Sequence, residues 1–199
     1  MMSTMIGQTV SHYRITEKLG RGGMGIVYKA EDTKLRRPVA LKFLADPIAD
    51  DRSALERFER EAQAASALNH PCVCTIYQFE EHNRRSFLAM ELIEGCSLRA
   101  FRERDASLES LARLISQAAA ALAAAHAAGI VHRDIKPENI MVRNDRYVKL
   151  VDFGLARFTD HSSESTLVTS PGAVVGTVRY MSPEQVRGEP VSSASDVFS

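Results

Sequence analysis

Residues 132–139 read His132-Arg133-Asp134-Ile135-Lys136-Pro137-Glu138-Asn139, and residues 152–154 read Asp152-Phe153-Gly154. These two polar turns decide the fold, because two strand-like segments, 140–142 and 147–150, lie between them. A strand pair of this kind can hold both turns at one end of a small sheet. The turns would then place a carboxylate base beside an amide and a second carboxylate able to hold a divalent metal. Such a site suits phosphoryl transfer from a nucleotide.

Three further motifs flank these turns. They are the glycine run Gly20-Arg21-Gly22-Gly23-Met24-Gly25-Ile26-Val27, the strand Val39-Ala40-Leu41-Lys42, and Ser182-Pro183-Glu184. The whole set stands in the order found in protein kinases. From about His12 to its last residue the chain resembles a serine/threonine kinase of the bacterial type that shares the eukaryotic fold. Ser182 replaces the commoner alanine, which is a mild departure.

The resemblance implies an α+β, two-lobed fold. An N-terminal extension at 1–11 precedes a small antiparallel-sheet N-lobe with one helix at 12–93. A mainly helical C-lobe at 94–199 follows, truncated at the start of the long central helix. We therefore expect these 199 residues alone to be marginally stable, aggregation-prone and weakly active or inactive.

The hydrophobic pattern predicts the elements of both halves. Residues 12–44 alternate as strands, residues 51–68 repeat at helical steps, and residues 75–79 and 86–90 form strands joined by a polar turn at 80–85. A long helix is predicted to begin after the N-cap Ser107 and to end at Gly129. Its buried face is predicted to consist of Leu111, Ile115, Ala118, Leu122 and Ala125.

The glycine run alone has a second interpretation, since G-x-G-x-x-G can also mark a dinucleotide-binding turn that leads into a helix. Here β-branched and aromatic residues follow Gly25, and the nearby strand carries a lysine in place of a ribose-binding acid. This pattern favours a flap over nucleotide phosphates. By resemblance, the residues that contact ATP are Leu19, Gly20, Gly22, Gly23, Gly25, Val27, Ala40, Lys42, Met90, Glu91, Ile93 and Met141.

The resemblance also assigns catalytic roles. Lys42 on its apolar strand needs an anionic partner, and the family pattern selects Glu61 over its neighbours Glu56 and Glu59. This ion pair would direct Lys42 to the α- and β-phosphates.

Within the first polar turn, Asp134 is the expected base for the acceptor hydroxyl. Lys136 would stabilise the transferred phosphate and indicates a serine or threonine acceptor. Asn139 and Asp152 are oxygen donors suited to Mg²⁺. In the resembled fold, His132 packs against Phe153.

The segment 160–172 is rich in serine and threonine, and Arg133 and Arg157 could receive a phosphate on it. We predict activation by phosphorylation at Thr169 or Ser170, with Thr166 as a third candidate. By resemblance, Thr177 aligns the acceptor and Asp196 binds the backbone of the first polar turn, residues 132–139, hereafter the catalytic turn. Glu184 lacks an arginine partner within the chain.

Composition excludes several classes of protein. Lys plus Arg and Asp plus Glu both number 25, so the formal net charge is zero, which gives no reason to expect nucleic acid or an anionic membrane as a partner. Three cysteines are too few for a disulfide framework; Cys72 and Cys74 could form a metal pair but fit buried apolar positions better. The remaining histidines are expected to be cap or turn residues.

No signal peptide or membrane-spanning run is visible, so a reducing cytoplasmic location is expected. Members of the family often carry a membrane anchor beyond the kinase domain. The expected partners are proteins with Ser/Thr acceptors and a second kinase copy for autophosphorylation.

Two alternatives to a protein kinase stay open. The first is a non-catalytic, pseudokinase-like nucleotide-binding or interaction module, supported only by the truncation because no motif residue is lost. The second is a small-molecule kinase, which Lys136 and the Ser/Thr-rich loop disfavour.

Overall fold

The computed structural model describes residues 5–22, 25–45, 49, 51–83, 85–105, 107–153 and 178–199. The chain divides into two compact units. The first consists of Met1–Glu59 with Thr75–Leu92, and the second of Arg60–Cys74 with Ile93–Ser199. An antiparallel sheet dominates the first unit, whereas helices and a small sheet make up the second. The fold class is therefore α+β, as the sequence predicts.

Six strands form the sheet of the first unit. They are β1 (Thr9–Val10), β2 (Tyr13–Gly22), β3 (Gly25–Asp32), β4 (Arg37–Leu44), β5 (Ile76–His82) and β6 (Arg85–Glu91), in the spatial order β1-β2-β3-β4-β6-β5. All neighbouring strands are antiparallel. The turn predicted over residues 80–85 is wrong in extent, because β5 and β6 both run into it. Since β5 is an edge strand, it accommodates charged side chains.

The strand register separates the two faces of this sheet, because directly paired residues point to the same side. One face carries the apolar core cluster, which consists of Met5, Val10, Tyr13, Ile15, Tyr28, Ala30, Val39, Leu41, Phe43, Phe87 and Ala89. On the opposite face Val27 and Leu88 pair with Lys42, and Ala40 pairs with Met90. The lysine and the apolar positions expected to contact adenine thus share one face.

Residues 5–10, assigned above to an N-terminal extension, are part of the first unit. β1 pairs with β2, and the backbone N–H of Gly7 donates to the carbonyl of Ile15 at 2.9 Å. Met5 and Val10 are buried in the core cluster. The sheet therefore starts before residue 12.

Helix α1 (Arg52–Ser66) follows the fourth strand. Its N-terminus is capped by Asp51, whose Oδ1 accepts hydrogen bonds from the backbone N–H groups of Ser53 at 2.9 Å and Ala54 at 3.1 Å. Phe58 is fully buried, and its ring centroid lies 5.9 Å from that of Phe79 on β5. The helix predicted over residues 51–68 is confirmed.

A three-stranded antiparallel sheet lies in the second unit, made of β7 (Gly95–Ser97), β8 (Ile140–Arg143) and β9 (Val148–Leu150). β8 and β9 are the predicted strand pair, whereas β7 is too short to show in the sequence pattern. Next to this sheet, Cys72 and Cys74 are buried and reduced. Among the described residues, no group of three or more His, Cys, Asp or Glu side chains could hold a metal ion.

The helices of the second unit are α2 (Leu98–Arg104), α3 (Leu108–Ala127), a 3₁₀ turn (Val178–Tyr180), α4 (Pro183–Val186) and α5 (Ser193–Phe198). No helix within the described residues has the length and apolar character needed to cross a membrane.

Both predicted ends of α3 are confirmed. The Ser107 side chain accepts a hydrogen bond from the backbone N–H of Ser110 at 3.3 Å. Gly129 has φ +75°, and the N–H groups of Gly129 and Ile130 donate to the carbonyls of His126 and Ala125. This is a Schellman ending, which needs a residue in the left-handed region.

The buried face predicted for α3 is wrong in part. The buried residues are Leu114, Ala118, Ala121 and Ala125, whereas the side chain of Ile115 is 49% exposed. The predicted stripe and the observed stripe of buried residues both repeat at three- and four-residue steps, so hydrophobic periodicity alone could not show which stripe is buried. The small alanine side chains let neighbouring elements approach closely, and packing thus selected the alanine stripe over the more apolar one.

Candidate active site

The first polar turn forms a tight cluster around the carboxylate of Asp134. Lys136 Nζ donates to both oxygens, at 2.9 Å to Oδ1 and 2.6 Å to Oδ2. Asn139 Nδ2 donates to Oδ2 and to the backbone carbonyl of Asp134, both at 2.8 Å. The carboxylate is therefore held in one orientation by two side chains from its own turn.

The small sheet brings the second polar turn to the first. Ile140 on β8 pairs with Leu150 on β9, so Asn139 and Val151 lie at the same end of the sheet. The backbone N–H of Val151 donates to the carbonyl of Asn139 at 3.0 Å. Asp152 follows directly with φ +67°, a backbone conformation that non-glycine residues seldom adopt and that is often found at functional sites. The predicted role of the strand pair is confirmed.

The side chain of His132 contacts both polar turns. It is fully buried, its ring centroid lies 4.5 Å from that of Phe153, and its Nε2 contacts the carbonyl of Val151 at 2.9 Å. Its Nδ1 accepts a hydrogen bond from the backbone N–H of Asp134 at 3.3 Å. Burial lowers the pKa of His132 below its usual value, although the neighbouring Asp196 carboxylate opposes the shift. His132 thus has a structural role, as predicted, and its burial favours the neutral form.

Asp196 on α5 holds the backbone of the catalytic turn. Its Oδ2 accepts from the N–H of His132 at 2.8 Å and its Oδ1 from the N–H of Arg133 at 2.7 Å, which confirms the prediction for Asp196. His126 Nε2 lies 2.7 Å from the same Oδ2. His126 was expected to be a cap or turn residue, and that expectation is wrong. Local sequence patterns could not reveal this contact, because the two residues are 70 positions apart.

Besides Asp196, Arg133 contacts two residues in the second unit. It adopts φ +69°, its carbonyl accepts from Gln185 Nε2 at 2.7 Å, and its Nη1 lies 3.5 Å from Glu61 Oε1. The structure thus places Glu61 in an ion pair with Arg133. The pairing of Glu61 with Lys42 stays a prediction.

Residues around α4 show two further contacts. Ser182 is a fully buried N-cap of α4 and forms a capping box with Gln185. Glu184, which was expected to lack its arginine partner, accepts a hydrogen bond from the hydroxyl of Ser195, and this bond lowers the pKa of Glu184.

The glycine run forms the predicted hairpin between β2 and β3, with Gly22 paired to Gly25. Gly25 has φ +141°, and a Cβ built on it would lie 1.8 Å from the carbonyl oxygen of Phe43. At Gly20 and Gly22, in contrast, a Cβ would meet nothing within 4 Å. The close backbone approach therefore requires glycine at residue 25, whereas the two earlier glycines leave room beside the backbone.

The remaining predicted ATP contacts differ in exposure. Lys42, Ala40 and Met90 are buried, and the Leu19 side chain is 47% exposed. The other members of the set, Val27, Glu91, Ile93 and Met141, are half-buried. Gly23, Arg157 and Thr177, together with the phosphorylation candidates Thr166, Thr169 and Ser170, lie outside the described residues.

The protein kinase domain family matches residues 13–199 of the chain. The chain belongs to the protein kinase family. The chain is 40% identical in sequence to the serine/threonine-protein kinase pkn3 of Myxococcus xanthus, and the match covers 97% of this chain and 37% of that protein. It is 39% identical to PknA of Mycobacterium tuberculosis, over the whole chain and 47% of that protein. The chain thus spans less than half the length of these curated relatives.

A crystal structure of the Mycobacterium tuberculosis PknI kinase domain has the same fold. It matches with a TM-score of 0.74 at 27% identity, and the match covers 98% of this chain and 73% of that chain. A second crystal structure of the same kinase domain also gives a TM-score of 0.74, at 28% identity. The protein-kinase fold predicted from the sequence is therefore confirmed.

Proposed function

We propose that this kinase domain transfers the γ-phosphoryl group of ATP to serine or threonine hydroxyls of proteins. The observation that carries the proposal is the cluster in which Lys136 and Asn139 both hold the carboxylate of Asp134. A carboxylate oriented by a lysine and an amide can accept the proton of an incoming hydroxyl. The lysine beside it would neutralise the phosphoryl oxygens as they move toward that hydroxyl.

The donor atoms around this cluster fit Mg²⁺, a hard ion that takes few protein oxygens and completes its shell with phosphate oxygens and water. Asn139 uses its amide nitrogen on Asp134, so its amide oxygen is the end that could bind a cation. Asp152 supplies a carboxylate one residue beyond the contact between Val151 and Asn139. When bound, Mg²⁺ would neutralise charge on the nucleotide phosphates.

The nucleotide contacts form the second part of the proposal. Lys42, with Glu61 as its partner, would orient the α- and β-phosphates. Gly20, Gly22 and Gly23 would let backbone amides approach the phosphate oxygens. Leu19, Val27, Ala40, Met90, Met141 and the backbone at Glu91 and Ile93 would hold adenine. The sheet register supports this assignment, since Val27, Ala40, Lys42 and Met90 lie on one face.

Regulation is the third part of the proposal. A phosphate on Thr169, Ser170 or Thr166 would be received by Arg133 and Arg157, and a second copy of the kinase could deliver it. Phosphate mapping by mass spectrometry on active protein tests this step. Full activity with an unmodified loop would refute it.

The transfer itself is tested by Mg²⁺-dependent label transfer from ATP to generic acidic and basic proteins. We expect Asp134→Asn to lower the rate by about 10²–10⁴-fold, because the variant keeps the shape of the side chain but loses the base. Asp145→Asn is the matched control, since Asp145 is a half-exposed acid that pairs with Arg143 in the turn between β8 and β9. Nucleotide binding without transfer by the wild type, or an equal rate in both variants, would favour the non-catalytic, pseudokinase-like alternative.

A further inference from the structure

A second ion-pair network lies beside the catalytic cluster and is not used by the proposed chemistry. On α2, Arg99 Nε donates to the carboxylate of Glu138, which belongs to the catalytic turn. Arg99 Nη2 donates to the hydroxyl of Tyr180 at 3.2 Å. One guanidinium therefore ties together three elements, namely α2, the catalytic turn and the 3₁₀ turn.

Glu138 lies in the same turn as Asp134, the proposed base for the acceptor hydroxyl. It is the fourth residue after Asp134, and the turn is closed by the 2.9 Å hydrogen bond from the N–H of Asn139 to the carbonyl of Lys136. An extended peptide advances roughly 3.3 Å per residue. Side chains one to three residues from an acceptor at Asp134 therefore come within reach of Glu138.

The network is accessible to such a peptide. The Arg99 and Glu138 side chains are both 43% exposed, so neither is sealed inside the protein. An exposed carboxylate beside an acceptor site would ordinarily attract a lysine or arginine of the substrate. Here the carboxylate already binds an arginine of the same chain, and that pairing raises the pKa of Arg99 further above its usual value.

We propose that Arg99 is a specificity-determining residue that occupies Glu138 and makes the domain indifferent to basic residues next to the acceptor. This inference rests on the proposed protein kinase function. A basic peptide side chain would have to displace Arg99 and would meet its like charge while doing so. The substrate class is therefore proteins whose acceptor serine or threonine is not marked by a neighbouring lysine or arginine.

The test compares serine peptides that differ only by arginine or alanine at each of the three positions on either side of the acceptor. For each pair, the ratio of kcat/KM for the arginine peptide to that for the alanine peptide is measured. In the wild type we expect every ratio to stay within about twofold of one. In Arg99→Gln we expect one position to rise at least ~5-fold, because a charge-assisted hydrogen bond to the released carboxylate becomes available.

Three further variants test whether the Glu138 carboxylate causes this change in the kcat/KM ratio. Arg99→Gln combined with Glu138→Gln should return the ratio to that of the wild type, because the carboxylate is gone. Glu138→Gln alone should leave the ratios near one. Arg102→Gln is the matched control, since Arg102 is an exposed arginine on the same helix and is expected to change nothing.

Each other outcome decides against the inference. A wild type that already prefers arginine at one position, an Arg99→Gln variant with unchanged ratios, or a rise that persists in the double variant would overturn it. If the generic proteins are labelled but the kcat/KM ratios of the peptides differ from those expected, only the specificity assignment is wrong. If no variant transfers phosphate to any acceptor, the proposed function fails and this inference fails with it.

Discussion

Replacement of Asp196 should loosen the catalytic turn. Asp196 is 3% exposed, and its carboxylate accepts hydrogen bonds from the N–H groups of His132 and Arg133 and from the His126 ring. Asp196→Ala leaves two buried backbone donors and one ring without an acceptor. A buried donor without a partner costs about 1–3 kcal/mol, so we expect the free energy of unfolding to fall by about 3–5 kcal/mol.

Asp196→Asn provides a graded version of the same perturbation. The amide retains one oxygen acceptor but turns an NH₂ group toward a backbone N–H. We therefore expect about half the loss seen for Asp196→Ala, or roughly 2 kcal/mol. His126→Ala removes only the ring contact and should cost about 1 kcal/mol.

Urea unfolding measures the stability change, and hydrogen exchange of the amides at residues 132 and 133 locates it. Both amides should exchange markedly faster in the alanine variant. Asp145→Asn again serves as control, because a half-exposed surface pair contributes less than ~1 kcal/mol. An Asp196→Ala protein within 0.5 kcal/mol of the wild type, on the order of the error in such comparisons, would refute the reasoning. So would amides at 132 and 133 that stay fully protected.

Three further predictions concern the hairpin, the buried histidine and the long helix. Gly25→Ala should lower the free energy of unfolding, measured in urea, by about 2 kcal/mol or more, because residue 25 has a positive φ and an added Cβ would clash with the carbonyl of Phe43. Gly20→Ala should leave stability unchanged and alter only the KM for ATP, because an added Cβ there meets nothing within 4 Å. The folded-state pKa of His132 lies below the unfolded value of 6.5, so its contribution to stability is complete above pH 6.5 and is lost as the pH falls from there toward the folded-state pKa. The slope of unfolding free energy against pH in that range, up to ~1.4 kcal/mol per pH unit, should flatten in His132→Phe; an unchanged slope would contradict this assignment. Ala121→Leu should lower the melting temperature by overpacking, at a cost of about 1–3 kcal/mol, while Ala120→Leu on the exposed side should not, and equal effects would show that the buried face is wrongly assigned.

The two polar turns show how much of the candidate site can be predicted from local sequence. Asp134, Lys136 and Asn139 lie within six residues, so a tight turn necessarily brings them together once it forms. Val151, the residue before Asp152, reaches Asn139 because the strands between the turns are short and pair in a hairpin. Sequence pattern was sufficient for this part, since the whole construction is local.

Contacts between segments that are distant in the chain were harder to predict from the sequence. The ring of His126 reaches Asp196 across 70 residues, and Arg99 reaches Glu138 across 39 and Tyr180 across 81. Each of these side chains, taken alone in the sequence, has the features of an ordinary surface charge or helix-terminal residue. Only the packing of α2, α3 and α5 around the catalytic turn decides which partner each one meets.

By itself, the sequence determined the order of the longer strands and helices, the two polar turns and the glycine hairpin, because turn chemistry and hydrophobic period act over a few residues. The tertiary structure decided which stripe of α3 is buried, which side chain the His126 ring meets, and which arginine occupies Glu138. Those choices depend on close packing and on the pairing of buried charges between segments far apart in the chain, where many sequence-compatible pairings exist and geometry allows one.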